Sequence, residues 1–313
     1  SCLVGSEMCI RDRPDGSRLA HCHRAQAGGQ ERRDLTVTGA DSTSKRPRVL
    51  AIANQKGGVG KTTTAINLST ALVAVGERVL VVDLDSQGNA STGLVIEPEN
   101  RGHTSYDVMV CNVSLANAAL RTAVPGLDLV PANSDLVGLE AELFHETDRP
   151  FRMRDAVAEL YQYCAGLPED ESYSYLLIDC PPSVNILTLN AMTAADAVLV
   201  PVQCEFFALE GISQFKETID QIRGSLNPVL EIQGVVLTMH DARTSLSKEV
   251  AANVREFFGP KVYNTMIPRN TRVAEAPSHG KPLLLYDYDC AGSQAYIRLA
   301  TEIIERERQF RAA

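Results

Sequence analysis

Along the chain, short runs of consecutive apolar residues alternate with longer stretches whose apolar positions recur every three or four residues. The first run, Val49 to Ala53, enters a glycine-rich loop. Thr62 to Val75 follows, with Ile66, Leu68, Leu72 and Val73 at helical spacing and Gly76 as its stop. Arg78 to Val82 predicts a second strand, leading into Asp83-Leu84-Asp85. Further apolar runs at Leu127 to Val130, Leu176 to Ile178, Ala197 to Val202 and Gly234 to Leu237 predict more strands, many of them separated by helical stretches. Strands that are apolar throughout and alternate with helices need cover on both sides. They predict an α/β fold, a three-layer sandwich whose mostly parallel, twisted sheet carries helices on both faces. Ligands of such sheets bind beyond the carboxyl ends of the strands, and the polar motifs of this chain fall there.

The pattern is missing from residues 1–46, which are rich in Arg, Gly, Ser and Asp and lack the apolar core of a signal peptide. This segment is expected to be a disordered leader, with the domain spanning residues 47–313. Within it, residues 1–13 read as a sequencing artefact. Leu3 to Arg13 resembles one frame of a transposase-type library adapter, in which ATG-TGT-ATA-AGA-GAC encodes Met8 to Asp12. Native translation is expected to begin between Pro14 and Arg48.

Composition narrows the class further. A chain of 313 residues that is 44% apolar can bury one full core. A net charge of -9 excludes a globally basic nucleic-acid coat while leaving room for a local basic face. The longest apolar candidate, Asn185 to Cys204, is interrupted by Asp196 and two asparagines, so no membrane span is expected.

The loop after the first strand reads Gln55-Lys56-Gly57-Gly58-Val59-Gly60-Lys61-Thr62-Thr63, a variant of G-x-x-x-x-G-K-[ST] with Gln55 in place of the first glycine. Its glycines let backbone N–H groups curl around phosphates at the positive end of the following helix. The fold class is therefore that of a P-loop NTPase. Lys61 is assigned to the β- and γ-phosphates and Thr62 to Mg²⁺. Lys56 lies so near Lys61 that the two ammonium groups repel unless they share a polyanion, one of them reaching it from an opposing subunit. Leu176-Leu177-Ile178-Asp179 ends a strand on an acid, the arrangement that holds Mg²⁺ directly or through water. Asp83 and Asp85 end the second strand, and alternation puts both carboxylates on one side. On residue type alone, a turn or capping role is an equal reading for each.

The run Lys56 to Thr63 resembles the deviant Walker A motif of the ParA/MinD ATPase superfamily. Val82-Asp83-Leu84-Asp85-Ser86-Gln87-Gly88-Asn89 and Ile178-Asp179-Cys180-Pro181-Pro182 resemble two further motifs of it, with Ser86 where many members carry proline. Thr238 to Thr244 and Ile267 to Pro282 resemble the Soj-type ParA subgroup, and the likeness runs from about Arg48 to Ile304. The resemblance implies ATP and Mg²⁺ as cofactors and a nucleotide-sandwich homodimer whose interface Lys56 crosses. It makes Asp85 the carboxylate that positions the attacking water, and Asp83 a supporting residue behind the metal. Gly57, Gly58, Val59, Gly60 and Thr63 complete the phosphate cradle, and Met239 and Pro268 flank the adenine.

It also implies non-specific double-stranded DNA as a partner, contacted by Arg243 and Arg272, and a ParB-like protein that stimulates a slow ATPase in the cytoplasm at the nucleoid. Between Thr238 and Lys281 seven Lys/Arg stand against four Asp/Glu, the footprint of phosphate-backbone binding, although a solvated charged face is an equal reading of charge alone. The function so implied is chromosome or plasmid segregation. The alternative is an orphan positioning ATPase for another cargo, one at the membrane included. The mixed charge of Glu302 to Arg311 argues against a membrane-binding amphipathic helix, and the absence of C-x-x-C spacing argues against an iron–sulfur carrier.

Overall fold

The computed structural model describes residues 46–312. The expected leader lies outside the described residues except for Arg46. That residue pairs with Asp196 at 3.0 Å and lies over the Tyr161 ring.

One eight-stranded sheet forms the middle layer. Its strands are β1 (Arg48–Ile52), β2 (Val79–Asp83), β3 (Leu120–Arg121), β4 (Leu127–Val130), β5 (Tyr175–Asp179), β6 (Ala197–Gln203), β7 (Glu231–His240) and β8 (Val262–Pro268), in the order β3-β4-β2-β5-β1-β6-β7-β8. All neighbours are parallel except β3 and β4, so the expectation of a mostly parallel sheet holds.

The principal helices are α1 (Lys61–Ala74), α2 (Asn89–Gly93), α3 (Ser105–Cys111), α4 (Arg152–Ala165), α5 (Ile186–Ala194), α6 (Ala208–Ser225), α7 (Ser245–Phe258), α8 (Thr271–Glu275) and α9 (Ala291–Ala312). Strand alternation divides the apolar residues between two cores. Leu50 and Ile52 pack with Leu68 and Leu72 of α1 and Leu299 and Ile303 of α9. Val49 and Ala51 face the other way, with Met109 of α3, Leu160 of α4, Leu187 of α5, Phe215 of α6 and Val254 of α7. Because both faces are covered, β2 and β5 are buried along their whole length and β1 from Val49 onward, which explains their apolar runs.

The register puts the acids at one end. Asp179 pairs with Ile52 across β5–β1 and with Asp83 across β5–β2, so the exits of three central strands meet where the glycine-rich loop begins. The edge strand β8 carried no signal in the apolar pattern. In Val262-Tyr263-Asn264-Thr265-Met266-Ile267-Pro268, Asn264 and Thr265 interrupt the run, as suits a strand with only one neighbour.

Candidate functional site

Two glycines give the loop its shape. Gly58 (φ 73°) and Gly60 (φ 90°) adopt the left-handed conformation that side chains resist. Nothing lies within 4 Å of where a Cβ would stand on Gly57 or Gly58, which leaves an open cradle. Gly60 is the N-cap of α1 and offers no side chain, so the leading N–H groups of the helix are uncapped and its positive end faces the cradle. The loop is fixed from behind by Thr238 of β7, whose hydroxyl donates to the Val59 carbonyl at 2.8 Å.

Lys61 is buried, and its Nζ donates to the Lys56 carbonyl at 2.9 Å. Burial lowers its pKa, and Asp179, Cys180 and Asp85, in that order, oppose the shift. Thr62 and Thr63 follow, half-buried. Asp179 is fully buried, and both of its carboxylate oxygens lack a hydrogen-bond partner among the described residues. Burial first, then the charge of Asp83, push its pKa well above the usual carboxylate range; the nearby Thr62 hydroxyl works against the shift. An orphaned carboxylate beside a threonine hydroxyl, at the mouth of an uncapped helix, is a donor set that suits a hard divalent cation held together with an anion. The residues present therefore fit Mg²⁺.

The two acids after β2 part company. The strand ends at Asp83, and Asp85 lies beyond it in the turn, so strand alternation does not relate them. Asp83 is fully buried and both its oxygens are engaged: Oδ1 accepts from the Asp85 amide at 3.1 Å, and Oδ2 from the Ser91 amide and hydroxyl at 2.9 and 2.7 Å. Burial raises its pKa to about 6 against the pull of the Ser91 hydrogen bonds. Asp85 is half-buried, and among the described residues its carboxylate accepts only from the Gln87 amide, at 3.0 Å, which leaves capacity toward the cradle.

Lys56 turns away from its own loop. Its Nζ pairs with Glu205 after β6, and its amide donates to Asn54 Oδ1 at 3.0 Å. Gln55, in the place of the missing first glycine, donates to Thr218 of α6 at 2.9 Å. Neither Glu205 nor Thr218 was legible as a partner of the loop, because each lies about 150 residues away in sequence and no spacing links them to it.

Met239 and Pro268 come together at the adjoining ends of β7 and β8, where His240 pairs with Pro268; Met239 holds a positive φ of 52°. Arg243 follows β7, and Arg272 lies in α8, just after β8. Both are ion-paired: Arg243 makes a bidentate pair with Asp241 at 2.9 and 2.8 Å, and Arg272 meets Glu275 at 2.9 Å and Asp287 at 3.4 Å. Asp241 and Glu275 belong to the acids already counted in that segment, and Asp287, which lies outside it, offsets the basic excess further. Among the described residues no helix is long and apolar enough to cross a membrane.

The chain is similar to known proteins. An AAA-domain family model matches residues 47–232. The chromosome partitioning protein ParA of Caulobacter vibrioides is 61% identical over 85% of this chain and 97% of its own length. The sporulation initiation inhibitor protein Soj of Bacillus subtilis is 46% identical over 82% of this chain and 98% of its own. Among solved structures, cobyrinic acid a,c-diamide synthase from Mycobacterium smegmatis with bound ADP and magnesium superposes with a TM-score of 0.70 at 36% identity, covering 84% of this chain and 96% of that one.

Proposed function

The chain belongs to the ParA/Soj family of chromosome-partitioning ATPases, and from that membership we propose that it is an ATP-gated switch. ATP closes two copies into a dimer, the dimer holds DNA without reading its sequence, and hydrolysis, stimulated by a ParB-like partner, releases it. The carrying observation is the charge arrangement at the cradle. An uncapped helix end and a buried lysine favour an anion, while the orphaned Asp179 favours a cation. Magnesium and a nucleoside triphosphate answer both needs.

In this reading Gly57, Gly58, Val59, Gly60 and Thr63 supply the phosphate cradle and Lys61 neutralises the β- and γ-phosphates. Thr62 and Asp179 hold the metal, with Asp83 bracing the turn behind them. Bound there, Mg²⁺ would offset the negative charge that develops on the phosphate oxygens. Asp85 orients the attacking water. Met239 and Pro268 offer apolar faces to the adenine.

Lys56 exchanges Glu205 for the triphosphate of the opposing copy. With both of its partners half-exposed, the existing pair is worth on the order of 1 kcal/mol or less, so a polyanion outcompetes it. Arg243 and Arg272 exchange their own carboxylates for DNA phosphates in the same way. The protein acts in the cytoplasm at the nucleoid, and its unstimulated rate is slow.

Light scattering during size exclusion tests the central step. Wild-type protein is expected to shift from monomer to dimer with MgATP, and Lys56→Ala to remain monomeric while still binding nucleotide. A Lys56→Ala protein that dimerises normally would overturn the assignment.

A further inference from the structure

Outside the phosphate loop, an arginine with no carboxylate partner among the described residues braces the segment that carries Asp85. The half-buried guanidinium of Arg101 donates only to neutral acceptors: Nε to the Ile96 carbonyl at 3.1 Å, Nη1 to the Ala132 carbonyl at 3.0 Å, and Nη2 to the Thr92 hydroxyl at 2.9 Å and, more weakly, the Gly88 carbonyl at 3.5 Å. One side chain thus ties the start, the body and the exit of the α2 segment to Ala132, just past the end of β4.

The site also shapes its neighbour. Gly88 is buried with φ 62°, and a Cβ there would stand 2.4 Å from Arg101 Nη1, so the chain approaches the guanidinium as closely as only glycine allows. Gly88 closes the turn begun by Asp85, donating its amide to the Asp85 carbonyl at 2.8 Å. A second clamp grips α2 from inside: Ser91 donates to Asp83 and accepts from the Ala132 amide at 3.0 Å. Ala132 therefore anchors both clamps, one through its amide and one through its carbonyl. Asp85 sits at the free end of the element they hold.

We propose that Arg101 is a positioning residue for ATP hydrolysis, holding the turn from Asp85 to Gly88 so that the Asp85 carboxylate keeps a fixed place relative to the phosphate loop. The proposal rests on Asp85 being the hydrolytic carboxylate. A displacement of about 1 Å in such a group can slow a reaction by on the order of a hundredfold without touching substrate binding. The guanidinium suits the task because it is a planar fork of five N–H donors; a lysine ammonium is a point charge and cannot span four acceptors set around it.

Steady-state hydrolysis of MgATP by the full chain tests this. Arg101→Ala is expected to lower kcat at least about tenfold with KM within about twofold, and millimolar guanidinium to restore part of the rate where methylammonium does not. Arg101→Lys should behave like Arg101→Ala. Gly88→Ala should lower kcat too, and combining it with Arg101→Ala should add little, since both disturb the same clamp. A kcat within twofold of wild type in Arg101→Ala, an equal loss of nucleotide affinity, or no selective rescue by guanidinium overturns the proposal. Asp85→Asn separates it from the reading beneath it. Damage from Asp85→Asn with a silent Arg101→Ala removes the positioning role alone. A silent Asp85→Asn removes the hydrolytic assignment, and the positioning role with it.

Discussion

Asp179 carries the sharpest residue-scale consequence, because its orphaned, fully buried carboxylate is placed for a ligand at the expense of the empty fold. Its folded pKa is raised well above the unfolded value, so the folded chain holds that proton more tightly. The resulting penalty is absent below the unfolded pKa of about 4, grows as pH rises above it, and is complete once pH passes the folded value. Asp179→Asn mimics the protonated acid. It is expected to raise the melting temperature of the nucleotide-free protein at pH 7, with the gain shrinking toward pH 4, and to abolish the further stabilisation by MgATP. Thermal melts across that range check the sign, and a variant less stable than wild type at pH 7 would contradict it. Lys61, Thr62 and Asp179 stand out in the sequence because each sits in a short motif, the first two at the start of a helix and the third at a strand end. The hydrogen bonds that hold Asp83 Oδ2 were not legible there, since they come from Ser91, a partner from the next element.

At the scale of elements, the strongest local signal in the sequence was the unit β1, loop and α1, where an apolar run, three glycines and helical spacing agree within about 25 residues. The edges of the sheet carried the weakest signal. β3 is two residues long, and β8 is broken by polar positions, so neither stands out from its surroundings. β8 is nonetheless tightly fitted to its neighbour. A Cβ on Gly234 of β7 would stand 2.4 Å from Cε2 of the fully buried Tyr263 and 3.0 Å from the Lys261 carbonyl, so glycine is needed where the ring crosses the strand. Gly234→Ala is expected to destabilise the fold by about 1–3 kcal/mol, the usual range for overpacking a core. Urea denaturation reads this as a lower midpoint with an unchanged slope.

Across the whole molecule, charge is unevenly shared. The chain carries a net -9, yet the segment joining β7, α7, β8 and α8 has a basic excess, and its two assigned DNA-binding arginines stand after neighbouring strands at one side of the sheet. Arg243 and Arg272 are held by Asp241, Glu275 and Asp287, so binding must replace carboxylates by phosphates. Such an exchange gains little for one copy and more when two copies present their arginines together. Arg243→Ala or Arg272→Ala is expected to weaken binding of the ATP-loaded protein to DNA of any sequence. The slope of log affinity against log salt should fall by about one for each DNA phosphate that the variant no longer neutralises. Fluorescence anisotropy at several salt concentrations measures it. An unchanged slope removes that arginine from the interface.

The amino-acid order by itself determined what depends on near neighbours: a parallel α/β sheet covered on both faces, a phosphate loop between its first strand and helix, and acids at strand ends. Periodicity and glycine placement act over a few residues, so they are written directly in the chain. Tertiary structure alone decided which charges are satisfied. The pairing of Lys56 with Glu205, the tether from Gln55 to Thr218, the hydrogen bond from Arg101 to the Ala132 carbonyl and the orphaning of Asp179 all depend on elements that meet only when the sheet assembles. Burial and hydrogen bonding across such distances are properties of the packed molecule, and no local pattern encodes them.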